Sequence, residues 1–267
     1  METRNSFVFD FDSTLVSIET LDTLIKQNLS GEDDRRKIDE ITLRAMNGEL
    51  DFSASLASRL RLSRAKTEDF AQMAARIEGF LTPGMDDILD FLARRGQKPF
   101  IVSGGFTQIV RPVAKLFGIP DEDCFANEYI ADGNGCVVGV KEGPLAREGG
   151  KSEVLRALRE QNRLPGTVVM LGDGMSDYQV YADGLADLFI GCGFHVARPN
   201  VRACSPVFVE TTADLRQFLE SLLNVQAQEG ASSREPSSRE PGPGGLGHPL
   251  IRSGPRSSRS RWCPWGL

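Results

Sequence analysis

The 267 residues are 40% hydrophobic and 25% charged, the balance of a globular chain with enough apolar side chains for a sizeable core. A formal net charge of -6 leaves no basic excess, so a nucleic-acid partner is not expected. No apolar stretch approaches the ~20 residues that span a bilayer, and Asp10 and Asp12 interrupt the one apolar run near the start, so neither a membrane span nor a secretory leader is expected.

In chain order, Ser6-Phe7-Val8-Phe9 is a short apolar run that meets the carboxylates Asp10 and Asp12. The pattern predicts a buried strand of a parallel sheet. Between Ile18 and about Phe80 strand-like runs are missing. Leu21, Leu24 and Ile25, then Leu56 and Leu60, then Phe70, Met73 and Ile77 have helical spacing. This stretch reads as about four helices inserted after the first strand, and Thr82-Pro83-Gly84 marks the return to the core.

Pro99 to Val102 runs into Ser103-Gly104-Gly105, and Thr167 to Leu171 runs into Gly172-Asp173-Gly174. Helical patterns follow at 107–117 and 176–182. Strand, glycine turn, helix is the repeating unit of an open α/β sheet. Ligands bind beyond the carboxyl ends of such strands, so one site could collect all three polar clusters. Asp132-Gly133-Asn134-Gly135 signals a hairpin. Strands are expected at 185–190 and 206–209 and a closing helix at 211–223. The expected organisation is an α/β core over 1–16 and 81–224, a helical cap over 17–80, and a tail over 225–267. The tail is rich in Gly, Pro, Ser and Arg, with Ser-Ser-Arg-Glu-Pro twice in tandem. It lacks the apolar periodicity that offsets ordering entropy, so it is predicted to be disordered.

The five cysteines are odd in number and never in CxxC spacing. That argues against a disulfide framework or a structural zinc site and for reduced thiols in the cytoplasm.

Asp10-Phe11-Asp12 places two carboxylates at a strand end, where they repel unless a cation or proton holds them. A hard divalent ion such as Mg2+, with oxygen ligands and waters left for a phosphate, meets that need. Asp173 and Asp177, one helical turn apart, stand at another strand end. Ser103 and Gly104 offer a hydroxyl and a main-chain N–H where a helix is expected to begin, a natural anion site. On local grounds alone, Asp173 and Asp177 also fit a glycine turn with a helix cap, and Lys151 also fits a solvated helix face.

Together and in this order, DFDST, SGG, Lys151 and GDGMSD resemble the four motifs of the haloacid dehalogenase superfamily of phosphotransferases. The resemblance covers roughly residues 5–16 and 81–224. It implies a Rossmann-like parallel sheet with an inserted cap. It further implies that Asp10 attacks phosphorus and that Asp12 protonates the leaving alcohol and then activates water. Asp10, the main-chain carbonyl of Asp12, and Asp173 would hold Mg2+, with Asp177 supporting them. Ser103, Gly104 and Lys151 would bind the phosphate. The insert is similar to the cap of the phosphoserine phosphatases, in FDSTLVSIE at 11–19 and TLRAMNGELDFSASLASR at 42–59. That likeness implies that Glu19 meets a substrate ammonium, that Arg59 meets a carboxylate, and that Met46 and Phe52 exclude water. It points to hydrolysis of O-phosphoserine, the last step of phosphorylated serine biosynthesis. A phosphatase for another small phosphomonoester, a mutase and a catalytically dead binding module are the competing readings. One stretch departs from the pattern, Cys192-Gly193-Phe194-His195, where His195 is expected to be structural.

Overall fold

The computed structural model describes residues 4–29, 31–46, 50 and 52–232. The chain opens with β1 (Ser6–Phe9) and then inserts four helices, α1 (Thr20–Asn28), α2 (Glu32–Met46), α3 (Phe52–Ser63) and α4 (Thr67–Arg76). It returns through α5 (Met85–Arg94), β2 (Lys98–Phe106), α6 (Thr107–Leu116) and β3 (Cys124–Asn127). A hairpin of β4 (Tyr129–Ala131) and β5 (Val137–Val140) follows, then α7 (Gly150–Glu160), β6 (Val168–Gly172) and α8 (Met175–Ala182). The remainder is β7 (Leu188–Cys192), α9 (Pro199–Cys204), β8 (Val207–Val209) and α10 (Thr212–Ser232).

Six parallel strands form the main sheet in the order β3-β2-β1-β6-β7-β8. β1 lies between β2 and β6, with Phe9 opposite both Ile101 and Leu171. The three motif-bearing strands are therefore neighbours, and their carboxyl ends open on one crevice. Strand alternation explains the burial on both faces. Phe7 and Phe9 join a core with Ile88 and Leu92 of α5 and Leu215 and Leu219 of α10. Val8, between them, joins a second core with Leu155 and Leu158 of α7 and Val180 of α8.

The insert leaves the core at Val16, which bridges Leu81 in antiparallel fashion where the chain returns. Ser17 N donates to Phe80 O at 2.7 Å and Thr82 N to Leu15 O at 2.9 Å. Two hydrogen-bonded crossings thus form the hinge. The insert has a second hold on the hairpin: Val137 N donates to Ala65 O at 2.7 Å and Thr67 N to Gly135 O at 3.0 Å. Phe70 of α4 packs edge-on to Phe106 of β2 at 5.2 Å and against Tyr129 of β4 at 4.8 Å. Such aromatic pairs each add about 0.5–1.5 kcal/mol beyond area burial.

Two boundaries differ from the sequence reading. β2 continues to Phe106, so Gly104 lies inside a strand and α6 begins three residues later. The closing helix runs to Ser232, past the expected start of the tail at 225. Gln226, just past that expected start, is anchored to the core: Asn5 Nδ2 donates to its Oε1 at 2.7 Å, a long-range contact that composition does not encode. The rest of the predicted tail, 233–267, lies outside the described residues. Among the described residues, no helix is long and apolar enough to cross a membrane.

Candidate active site

Asp10 follows the last residue of β1, and its N–H still donates to Leu171 O at 2.8 Å. The chain then turns tightly, with Leu15 N and Val16 N both donating to Phe11 O. Ser13 holds the left-handed conformation this needs, with φ 53°. A non-glycine residue there is uncommon and marks a surrounding structure that over-determines it. The turn aims Asp10 and Asp12 into one cavity of about 260 Å3.

Lys151 reaches Asp10 because of two glycines. Gly149 has φ 72°, and a Cβ on Gly150 would lie 2.0 Å from Pro144 O. With that close approach, Gly150, Lys151 and Ser152 at the start of α7 are buried. Lys151 Nζ sits 2.7 Å from Asp10 Oδ1 and 2.6 Å from Asp177 Oδ1. Burial works against the Lys151 charge, but Asp10 and Asp177 outweigh it and hold the ammonium above its ordinary range. Gly172 has an equally specific reason. A Cβ there would lie 2.3 Å from Asp177 Cγ, so glycine is what lets Asp177 fold back over the end of β6. Gly174 N then donates to Asp177 Oδ2 at 3.1 Å.

Asp10, Asp173 and Asp177 are all buried and offer carboxylate oxygens within 4.8 Å of one another. Burial first, and then the Asp10 charge, pushes both Asp173 and Asp177 above the usual carboxylate range. Six carboxyl groups line the cavity, of Asp10, Asp12, Glu19, Asp22, Asp173 and Asp177, against the cations of Lys151, Arg59 and Arg198. A phosphate dianion entering that excess of negative charge needs another cation. An all-oxygen donor set of this kind fits a hard divalent metal.

Asp12 is set apart from the triad. Its Oδ1 accepts from Thr20 N, in the first turn of α1, at 3.1 Å. Its carboxyl is pushed up to about 8, by burial first and then by Glu19 and Asp10. A group protonated at neutral pH and aimed at the cavity is equipped to donate a proton. Ser103, buried within β2, accepts from Gly105 N at 2.9 Å. Gly104 faces open space, and Asn127 Nδ2 donates to its carbonyl at 2.9 Å.

Across the cavity stand Glu19 and Arg59, each already engaged. Ser13 Oγ donates to Glu19 Oε1 at 2.8 Å. Arg59 donates to Asp22 Oδ1 at 2.9 Å, while its buried Nε has no partner among the described residues. A buried guanidinium N–H left unmatched is costly, so this edge of Arg59 suits an arriving acceptor. The structure therefore brings Asp10, Asp12, Glu19, Arg59, Ser103, Gly104, Lys151, Asp173 and Asp177 to one cavity. The side chains of Met46 and Phe52 lie outside the described residues.

Sequence reasoning missed Arg198, whose Nε donates to Asp173 Oδ2 at 2.9 Å and whose Nη2 donates to Glu19 Oε1 at 3.1 Å. It lies before Pro199, the first residue of α9, and nothing local distinguishes it. It also missed Asp22, which had a signal: it lies three residues after Glu19 on the same helical face.

The haloacid dehalogenase-like hydrolase family model matches residues 7–181. The chain belongs to that family. The motif residues Asp10, Ser103, Lys151 and Asp173 all fall within the matched span. Among relatives of this haloacid dehalogenase-like hydrolase is the phosphoserine phosphatase of Homo sapiens, 35% identical over 213 residues, 79% of this chain and 92% of the relative. A solved structure described as a substrate-bound phosphoserine phosphatase complex matches with TM-score 0.67 and 28% identity. It covers 83% of this chain and 99% of the other. A phospho-aspartyl intermediate analogue of phosphoserine phosphatase matches with TM-score 0.65 and 29% identity, over 82% and 99% of the two chains.

Proposed function

We propose that this hydrolase is a magnesium-dependent phosphatase that converts O-phosphoserine to serine and phosphate through an aspartyl-phosphate on Asp10. The observation that carries the reading is one cavity with two unlike walls: Asp10 and Asp173 at strand ends of the core with Lys151 at the start of α7, and Glu19 and Arg59 on the insert. The insert acts as a cap domain over 17–80, and the remaining sheet and helices act as the core. The names of the relatives support the same substrate.

In this mechanism an Asp10 oxygen forms a bond to phosphorus as the bond from phosphorus to the serine oxygen breaks. Asp12 gives its proton to that leaving oxygen. Water then attacks the phosphoaspartate, Asp12 takes a proton back, and Asp10 is released with inorganic phosphate. Lys151, Ser103 and the Gly104 N–H hold the phosphate oxygens. Asp10, Asp173 and the main-chain carbonyl of Asp12 would hold Mg2+, with Asp177 steadying the set. When bound, that ion supplies positive charge against the nucleophile and the phosphate. Glu19 meets the substrate ammonium and the open edge of Arg59 meets its carboxylate, so neither charge is buried unpaired. Met46 and Phe52 supply apolar cover. The reaction would complete a phosphorylated route to serine in the cytoplasm, a reducing setting that suits the unpaired Cys124, Cys136, Cys192 and Cys204.

A phosphate-release assay over small phosphomonoesters, with Mg2+ present, tests the reading. O-phosphoserine should give the highest kcat/KM, above phosphoethanolamine and simple alkyl phosphates. A higher value for a substrate lacking either charged group would favour a phosphatase of another small metabolite.

A further inference from the structure

The loop after β7 contains the departure at Phe194 and, next to it, His195, and the reaction above uses neither residue. Its start is tightly set. Gly193 N donates to Val209 O at 2.8 Å, and a Cβ on Gly193 would lie 2.7 Å from Phe208 Cζ. Phe194 packs against the larger core. His195 then places Nε2 2.9 Å from Thr82 Oγ1. Three residues later Arg198 grips Asp173 and Glu19.

Thr82 is a buried residue of the returning hinge segment. Its hydroxyl donates to Thr14 O, on the outgoing segment, at 2.7 Å. A hydroxyl has one proton and a main-chain carbonyl can only accept. The Thr82 proton is committed to Thr14, so the imidazole must be the donor to Thr82. That fixes the neutral ring as the Nε2–H tautomer. His195, Thr82 and Thr14 thus form a chain that links the 193–198 loop to both crossings between core and insert.

We propose that His195 is a positioning residue for the substrate-recognition wall: through Thr82 it fastens the 193–198 loop to the hinge and so holds Arg198 against Glu19. Glu19 belongs to the insert side of the hinge, whereas the loop belongs to the sheet. The Arg198–Glu19 contact therefore depends on the register between the two, and the His195–Thr82 bond ties the loop to the hinge residue that sets that register. The activity readout rests on the proposed phosphoserine chemistry; the tautomer readout does not.

The test uses His195→Leu, His195→Gln, Thr82→Val and the double variant His195→Leu/Thr82→Val, at saturating Mg2+. His195→Leu should raise KM for O-phosphoserine roughly three- to tenfold, the scale of one lost hydrogen bond. It should leave p-nitrophenyl phosphate, which has no ammonium for Glu19, close to wild type. His195→Gln keeps an N–H donor and should recover most of the loss. Adding His195→Leu to Thr82→Val should cost nothing further, since the pair acts as one unit. Unchanged KM in His195→Leu, equal shifts for both substrates, or no recovery in His195→Gln would each overturn the proposal. Imidazole 15N NMR of the wild-type protein at pH 8 reads the bond independently of activity and of variant folding. The Nε2–H tautomer supports the tether and Nδ1–H overturns it. A wild-type protein inactive on O-phosphoserine with the Nε2–H tautomer would contradict the substrate reading and leave the tether standing.

Discussion

The two walls of the cavity are built by different means. On the core wall, Asp10, Lys151, Asp173 and Asp177 are all buried, and each is aimed by its own strand end or by a glycine that permits close approach. On the insert wall, the Glu19 side chain is 48% exposed and Asp22 is 29% exposed. These residues are aimed by contacts between segments far apart in sequence, Arg59 with Asp22 and Arg198 with Glu19. The core wall is set by local backbone, and the insert wall by side-chain pairs between distant segments. Under the proposed function, phosphoryl chemistry belongs to the first wall and substrate choice to the second.

Variants should separate the walls by size and type of effect. The largest loss belongs to Asp10→Asn, which keeps the shape and removes the anionic nucleophile. Turnover should fall by roughly 10³-fold or more, and no phosphoenzyme should be trapped for mass spectrometry. Near-normal turnover would place the nucleophile elsewhere. Asp12→Asn comes next, with a loss of roughly 10²-fold on O-phosphoserine. The first step should be less impaired with p-nitrophenyl phosphate, whose leaving group needs no proton. The pH dependence has a definite sign. The acid form of Asp12 is the useful one in that step, and its carboxyl is pushed up to about 8. Phosphoenzyme formation should thus hold at neutral pH and decline as pH rises above about 8, and stopped-flow kinetics should show this limb vanish in Asp12→Asn. Asp173→Asn tests the same wall more gently. It should raise the Mg2+ concentration for half-maximal activity by at least roughly tenfold, and a chelated wild-type enzyme should be inactive until Mg2+ returns. Full turnover under chelation would contradict the metal role of Asp173.

The core wall was legible in the sequence for a physical reason. A buried parallel strand must be apolar on both faces, so a run such as Ser6–Phe9 that ends in Asp10 shows where burial stops and the crevice begins. Gly172 and Gly149-Gly150 were visible as glycines, but the close contacts that require two of them, Gly172 with the Asp177 carboxyl and Gly150 with the Pro144 carbonyl, show only in the folded turns. Glu19 and Arg59 were found through their matching neighbours; residue spacing alone would have left them on solvated helix faces. Arg198 was missed because an arginine before a proline carries no local mark of the carboxylates it reaches. The end of α10 was misjudged for the same reason: the composition after Asn224 reads as tail, while Gln226 is held by Asn5. The four-residue β3 and six-residue α9 were not singled out, since neither Cys124–Asn127 nor Pro199–Cys204 carries the apolar run that marks β1 and β8.

The central claim is that the insert wall selects the substrate while the core wall performs the chemistry. The most direct measurement is the ratio of kcat/KM for O-phosphoserine to that for phosphoethanolamine, in wild type and in Arg59→Ala, with folding of the insert checked by circular dichroism. Phosphoethanolamine lacks only the carboxylate assigned to Arg59. Losing a charge-assisted hydrogen bond in a closed site costs about 1.5–3 kcal/mol, so the ratio should fall roughly tenfold or more, with phosphoethanolamine nearly unchanged. Equal losses for both substrates in a folded variant would contradict the account.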